Sequence, residues 1–143
     1  MPGEASAILV VDASVAAKLW FDEGDAALAE AALSSGERLI APALFHVEIA
    51  SVASQRVRRG LSSDQEADQA LAQSKRLLDE VFPTVDLVNR AFELARDHAF
   101  SVYDGLYVAL AERERAVVLT ADLKLVNKAG AAGLSDLVRR LGA

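Results

Sequence analysis

The chain contains no cysteine among its 143 residues. Disulfide bonds, thiolate zinc sites, iron–sulfur clusters and thiol nucleophiles are therefore excluded. Proline and glycine are scarce, at three and eight residues, which excludes collagen-like and low-complexity classes. No apolar run approaches the roughly 18 residues of a transmembrane helix, and the N-terminal segment lacks the basic region of a secretory signal. These absences predict a cytoplasmic protein that does not enter a membrane.

Apolar residues are plentiful, at 52% of the chain, and the length is that of one ordinary domain. We therefore expect a single domain over residues 1–143 with a well-filled core. Acidic residues outnumber basic ones by 21 to 15, which gives a formal net charge of −6. Such a chain is a poor first candidate for nucleic-acid binding, because a generic phosphate-binding surface is basic.

Short β-type runs alternate with longer helical patterns along the sequence. Apolar runs at 8–11 and 116–119 are typical of strands buried on both faces. A short strand is predicted at 38–40 and a weak one at 81–85, where Pro83 favours an edge strand. The helical patterns lie at 15–21, 25–33, 42–59, 63–78, 87–98, 102–115 and 123–129, with Pro42 in the first turn of the third. The tail 134–141 is ambiguous. This alternation predicts a three-layer α/β/α sandwich around a parallel sheet of four to five strands.

Two aspartates follow the two strongly apolar strands. Asp12 comes directly after the run 8–11, and Asp122 comes shortly after the second run. In open parallel sheets, ligands bind outside the carboxyl ends of the strands. Each aspartate taken alone could equally be a turn residue or a helix N-cap, a role that Ser14 and Thr120 could share.

Two further acids lie within apolar helical patterns. Glu48 is the only acid in the segment 43–53, so its burial would require a partner or a metal ion. A solvated helix face is the alternative for Glu48. Asp104 begins an apolar helix, where it could instead complete a simple cap with Ser101.

Four carboxylates brought to one end of a sheet would raise one another's pKa unless cations neutralise them. Because the donors are oxygens and thiols are absent, the natural cation is Mg²⁺ or Mn²⁺. Such a cluster suits phosphoryl-transfer chemistry, in which a metal ion activates water, and it requires no nucleophilic side chain.

The motifs that carry these acids resemble those of the PIN-domain ribonucleases, and in particular the VapC-type toxins of prokaryotic toxin–antitoxin pairs. They are Val10-Val-Asp12-Ala-Ser14, the helix from Pro42 through Glu48, Val102-Tyr-Asp104-Gly-Leu-Tyr-Val-Ala-Leu-Ala111 and Leu119-Thr120-Ala-Asp122. They occur in the family's order and span almost the whole chain. Gly105 departs from the pattern, since the family more often has alanine there, and glycine loosens a helical turn slightly.

The resemblance implies a PIN-like α/β/α fold, Mg²⁺- or Mn²⁺-dependent cleavage of RNA, a homodimer, and a small DNA-binding antitoxin that covers the active site. The positions that match the family's acidic cluster are Asp12, Glu48, Asp104 and Asp122. Ser14 and Thr120 match the polar residues that support this cluster through hydrogen bonds.

Bound divalent ions would offset the charge of the cluster, and the remaining chain has 17 acidic against 15 basic residues. The net charge then no longer argues against nucleic acid. The basic residues that could touch phosphate are Arg56, Arg58, Arg59, Lys124 and Lys128, with solvated surface as their alternative. We expect Tyr103 and Tyr107 to serve packing or a dimer interface.

Two other functions remain open at this point. A receiver-like phosphoacceptor module would use Asp12 as its acceptor, but the middle acid, Glu48, lies in a helix and a suitable late lysine is missing. A catalytically silent PIN-like binding module would keep the fold alone, and the presence of all four acids argues against it.

Overall fold

The computed structural model describes residues 7–21 and 24–143. The segment 1–6, interpreted above as lacking a secretory signal, lies outside them. Within the described residues, every strand pairing of the sheet is parallel, in the order β3-β2-β1-β4-β5. The strands are β1 (Ile8–Val11), β2 (Arg38–Pro42), β3 (Glu80–Phe82), β4 (Val117–Thr120) and β5 (Val138–Arg140).

Helices cover both faces of this sheet, which confirms the predicted three-layer α/β/α sandwich. They are α1 (Ala13–Trp20), α2 (Ala26–Leu33), α3 (Leu44–Arg58), α4 (Asp64–Leu77), α5 (Val88–Asp97), α6 (Val102–Glu114) and α7 (Leu123–Ala131). Short 3₁₀ turns at Thr84–Asp86 and Ser135–Leu137 precede α5 and β5. No helix of the described ranges is long and apolar enough to cross a bilayer.

Alternation along the strands divides the apolar residues into two cores. In β1, Leu9 and Val11 join a core that packs against α1 to α4, whereas Val10 joins a core that packs against α5 to α7. Successive side chains of a strand point to opposite faces, so a strand covered on both sides is apolar throughout. We call these the α1–α4 core and the α5–α7 core.

The strand order determines where a ligand can bind. From β1 the chain adds β2 and β3 on one side, and it then returns to add β4 and β5 on the other. The neighbours β1 and β4 therefore form a topological switch point, where the connections diverge and leave a crevice at the carboxyl ends of the strands.

Pro42 was wrongly predicted to open a helix. It is the last residue of β2, in register with Phe82 of β3, and α3 begins at Leu44 instead. The fixed φ of proline suits a strand end as well as a first helical turn, so local preference does not separate the two. The amide of Ala43 donates to the carbonyl of Phe82 at 2.9 Å, which extends the sheet contact to the start of α3.

The weak strand at 81–85 exists but is shorter. It occupies Glu80–Phe82 at the edge of the sheet, as Pro83 predicted, and a 3₁₀ turn follows. The ambiguous tail contains β5, in which Val138 is buried and Arg139 and Arg140 are exposed.

Gly105 has a packing role that the sequence did not indicate. A Cβ atom there would lie 2.7 Å from the carbonyl oxygen of Ala91 and 3.0 Å from its Cα. The glycine therefore permits close contact between α5 and α6, directly beside Asp104.

Candidate active site

Asp12 lies at the carboxyl end of β1 and is held by two hydroxyl groups. Its Oδ2 accepts hydrogen bonds from Ser14 Oγ at 2.8 Å and from Thr120 Oγ1 at 2.7 Å. Asp12 occupies the N-cap position of α1, but its side chain makes no capping hydrogen bond. The cap alternative is therefore wrong for this carboxylate, whose partners come from the supporting residues named above.

The same two hydroxyls fix the loop after β4. Ser14 Oγ accepts from the amide of Ala121, and Thr120 Oγ1 accepts from the amide of Asp122, both at 3.0 Å. Thr120 is fully buried. These hydrogen bonds thus join the segment after β1 to the segment after β4 at the switch point.

Asp122 is exposed and does cap a helix. Its Oδ1 accepts from the amide of Lys124 at 2.9 Å at the start of α7. The prediction that Asp122 could be a helix N-cap is therefore confirmed. Its second carboxylate oxygen accepts none of the described hydrogen bonds, so capping and a role in the cluster are compatible.

Asp104 lies in the first turn of α6, where Ser101 is the cap. The predicted cap is present, because the amide of Asp104 donates to Ser101 Oγ at 3.0 Å. This cap uses the amide of Asp104 and does not engage its carboxylate. That carboxylate is half-buried, and its Oδ2 lies 3.5 Å from the ammonium of Lys128 on α7.

Glu48 is half-buried on α3 and has a specific partner. The hydroxyl of Tyr107 donates to Glu48 Oε1 at 2.5 Å, and the tyrosine side chain is buried. The alternative of a solvated helix face is therefore wrong. Tyr107 was missed as a site residue, although its position one turn after Asp104 on the same helix was a usable signal.

The electrostatics of the cluster favour a cation. Burial raises the pKa of Asp12 above its ordinary value; the two hydroxyl hydrogen bonds oppose this, and the charges of Asp104 and Asp122 add to it. Burial likewise raises the pKa of Glu48, with further contributions from Asp12 and Asp104 against the Tyr107 hydrogen bond. Ionised carboxylates in such a setting are stabilised by a positive charge placed among them.

The donor set fits a hard cation that keeps part of its water shell. Within residues 7–21 and 24–143, no three acidic or histidine side chains are arranged to hold a metal ion together. Mg²⁺ in proteins is bound by one or two carboxylates and retains several waters. Oxygen donors that influence one another's pKa without forming a closed cage match that preference.

The structure separates the five candidate phosphate-binding residues into two groups. Lys124 and Lys128 lie on α7 beside Asp122 and Asp104. The three arginines lie at the far end of α3. Arg56 stacks on Phe21, with its guanidinium carbon 5.2 Å from the ring centre, and donates to Ser62.

The fold is a parallel α/β/α sandwich, and carboxylates lie near its β1/β4 switch point. The protein is therefore an α/β domain with an acidic candidate site. A family model described as "PIN domain" matches residues 9–131. Ribonuclease VapC3 of Pyrobaculum aerophilum is 36% identical over 122 residues, which cover 84% of this chain and 93% of that protein. The chain therefore belongs to the PIN-domain family.

Solved structures agree on the fold. A crystal structure of a Pyrobaculum aerophilum protein superposes with a TM-score of 0.68 at 22% identity, covering 87% of this chain and 80% of that one. VapBC2 from Rickettsia felis, bound to a DNA fragment from its promoter, gives a TM-score of 0.65 at 13% identity, covering 93% and 98%. The receiver-like alternative is wrong, because that fold orders its strands 2-1-3-4-5 and this chain orders them 3-2-1-4-5.

Proposed function

We propose that the protein is a divalent-metal-dependent endoribonuclease, in which residues 1–143 act as one PIN-like domain. The observation that carries this proposal is the environment of Asp12. Its carboxylate sits at the switch point, is held by two hydroxyls, and has its pKa raised by burial and by the charges of Asp104 and Asp122. An arrangement that holds carboxylates close together against their own repulsion is suited to bind a cation.

Each carboxylate has an assigned role in this proposal. Asp12 and Asp104 would hold Mg²⁺ most directly, with Mn²⁺ as a substitute, and Glu48 and Asp122 would act directly or through waters. Such an ion supplies an activated water and offsets charge on the phosphodiester. The hydrogen bonds from Ser14 and Thr120 both end on Oδ2 of Asp12. This leaves Oδ1 as the oxygen for the ion.

The basic residues would contact RNA at two distances from the cluster. Lys124 and Lys128 would contact phosphate near the scissile bond. Arg58 and Arg59 line a cleft of about 510 Å³ with Gln55, and Arg58 lies ten residues after Glu48, which is about 15 Å along a helix. We infer that this cleft holds a more distant part of the strand, with Arg56 in the same last turn of α3 as a further contact.

The biological role we propose is that of a toxin inhibited by a small DNA-binding antitoxin. Relatives that are 36% identical are named VapC ribonucleases, and a structural neighbour is a VapBC assembly bound to promoter DNA. We also propose a homodimer, as the resemblance to this family implies.

Cleavage mapping on total RNA tests the activity. The purified protein should cut RNA in Mg²⁺ or Mn²⁺, leave 5′-phosphate ends and be inactive in chelator. Asp12→Asn and Asp104→Asn should each abolish cleavage and remain folded, because an amide can still accept the hydrogen bonds of the carboxylate. Asp136→Asn is the matched control and should cut normally, because this exposed acid precedes the amino end of β5, whereas Asp12 follows the carboxyl end of the parallel strand β1.

Two outcomes would contradict the assignment. Full cleavage by either site variant would remove its carboxylate from the reaction. A wild-type protein that neither cuts RNA nor binds Mn²⁺ in calorimetry would instead support the silent binding module.

A further inference from the structure

The hydrogen bond between Tyr107 and Glu48 joins the two helical layers past the end of the sheet. Tyr107 belongs to the α5–α7 core and is 2% exposed. Glu48 lies on α3, whose buried residues belong to the α1–α4 core. The bond is 2.5 Å long and links residues 59 positions apart. A short contact of this kind between an O–H group and a carboxylate is among the stronger hydrogen bonds in proteins.

The bond has a defined direction. The phenol O–H of Tyr107 is the donor, since an ionised carboxylate can only accept. Glu48 Oε1 is the acceptor, and one of its two oxygens is thereby occupied.

We propose that Tyr107 is a positioning residue of the metal site, which holds Glu48 by Oε1 so that only Oε2 is available to a divalent ion or to its water shell. The proposal rests on the proposed function, since it concerns the same carboxylate cluster. Tyr107 lies one turn after Asp104 on α6, so its hydrogen bond to Oε1 holds Glu48 beside the helix that carries Asp104.

A purely structural role for this bond makes a different prediction. A bond that only joined the two layers would change the melting temperature and leave the affinity for a divalent ion unaltered. A bond that orients a ligand changes that affinity even when the protein melts normally, and partners of this kind are worth about 10- to 100-fold in metal binding.

The experiment measures Mn²⁺ binding by calorimetry on the full chain, without RNA. Tyr107→Phe removes only the hydroxyl and should weaken Mn²⁺ binding about tenfold. Tyr103→Phe makes the same chemical change on the same helix, at a side chain that is 63% exposed, and should bind like the wild type. Melting curves show whether each variant is folded at the temperature of the titration.

A double-mutant cycle then shows whether Tyr107 acts through Glu48. Glu48→Gln should weaken Mn²⁺ binding, and adding Tyr107→Phe to it should weaken binding no further. In cleavage assays, excess Mn²⁺ should restore most of the activity of Tyr107→Phe, because the site is weakened and its ligands are intact.

The outcomes separate this inference from the proposed function. Tyr107→Phe binding Mn²⁺ like the wild type would overturn the inference and leave the function standing, as would additive losses in the double mutant. A wild-type protein that binds no Mn²⁺ would overturn the metal site and this inference together. A tenfold loss in Tyr107→Phe with a normal melting temperature would establish it.

Discussion

The ammonium of Lys128 lies 3.5 Å from Oδ2 of Asp104, so a cation on α7 faces a candidate metal ligand on α6. The side chains are 35% and 26% exposed, respectively. The lysine therefore supplies positive charge to one edge of the carboxylate cluster. An incoming divalent ion would have to compete with it for Asp104.

Replacing this lysine should affect metal and RNA in opposite directions. Lys128→Met removes a charge that repels the metal ion, so Mn²⁺ affinity should rise, by up to about fivefold for a pair worth at most about 1 kcal/mol. The affinity for RNA should fall, because a phosphate contact is lost and salt dependence weakens. Calorimetry and filter binding measure the two effects, with Lys124→Met as a comparison expected to change RNA binding alone. Weaker Mn²⁺ binding in Lys128→Met would contradict this account.

Alanine substitution at two helical glycines should change the free energy of unfolding in opposite directions, because only Gly105 lies at the contact between α5 and α6. Gly105→Ala would place a Cβ atom 2.7 Å from the Ala91 carbonyl oxygen, and forced overpacking costs about 1–3 kcal/mol. Gly130→Ala meets nothing within 4 Å and should stabilise α7 by about 0.5–1 kcal/mol. Urea unfolding measures both. Equal stability of the two variants would show that α5 and α6 can separate without cost.

The raised pKa values of Asp12 and Glu48 predict a pH-dependent penalty on folding. A group whose pKa is higher in the folded than in the unfolded state makes stability fall as pH rises through the folded pKa. The penalty is absent well below the ordinary value of 3.8 for Asp12 and complete above its raised pKa. Metal-free wild type should therefore gain more stability than Asp12→Asn when the pH is lowered from neutral toward 3.8, the ordinary pKa of this carboxyl group.

A divalent ion should reverse this penalty at neutral pH. A ligand present at about 100 times its Kd stabilises the folded state by about 2.7 kcal/mol. The melting temperature of the wild type should therefore rise with Mn²⁺ at high pH and less so at low pH, where the carboxylates are protonated. Asp12→Asn should lose most of that rise. If the free energy of unfolding changed identically with pH in metal-free wild type and metal-free Asp12→Asn, Asp12 would be ruled out as the source of the penalty.

Thr120 should matter for cleavage beyond its contribution to stability. Thr120→Val keeps the shape of the side chain and removes the hydroxyl that donates to Asp12 Oδ2 at 2.7 Å. A buried group that loses its partner costs about 1–3 kcal/mol, and Asp12 would also lose its fixed orientation. Ser74→Ala removes another buried hydroxyl, which bonds the Leu71 carbonyl at 2.8 Å. It should melt lower or unchanged and cut RNA normally, whereas Thr120→Val should cut poorly.

The layers of the fold and the placement of Asp12 could be predicted because burial on both faces leaves an unambiguous trace. A strand such as β1, apolar at every position, must lie between two helical layers, and the acid after it must lie at the carboxyl end of the parallel strands. The strand β5 within the tail 134–141 has no continuous apolar run to predict it, because only Val138 of this strand is buried. Pro42 failed for a related reason, since one value of φ serves two kinds of structure.

The partners within the site could not be predicted because they are brought together by tertiary structure. Tyr107 and Glu48 are 59 residues apart, and Thr120 and Asp12 are 108 apart. The sequence indicated a supporting role for Thr120 in the cluster only through a family pattern, and it assigned Tyr107 to packing or a dimer interface. Hydrogen bonds over such separations depend on how the helices and strands pack together, which local propensity and periodicity do not determine.

The carboxylates of the cluster come from both helical layers, so cleavage activity depends on how these layers are held together. Asp12 and Glu48 precede or lie on helices of the α1–α4 layer, whereas Asp104 lies on α6 of the opposite layer. Local opening of either layer would disperse the cluster while most hydrogen-bonded helices persist. During gradual heating, RNA cleavage should therefore be lost before the helical circular-dichroism signal. Cleavage activity would then report the first separation of the two helical layers.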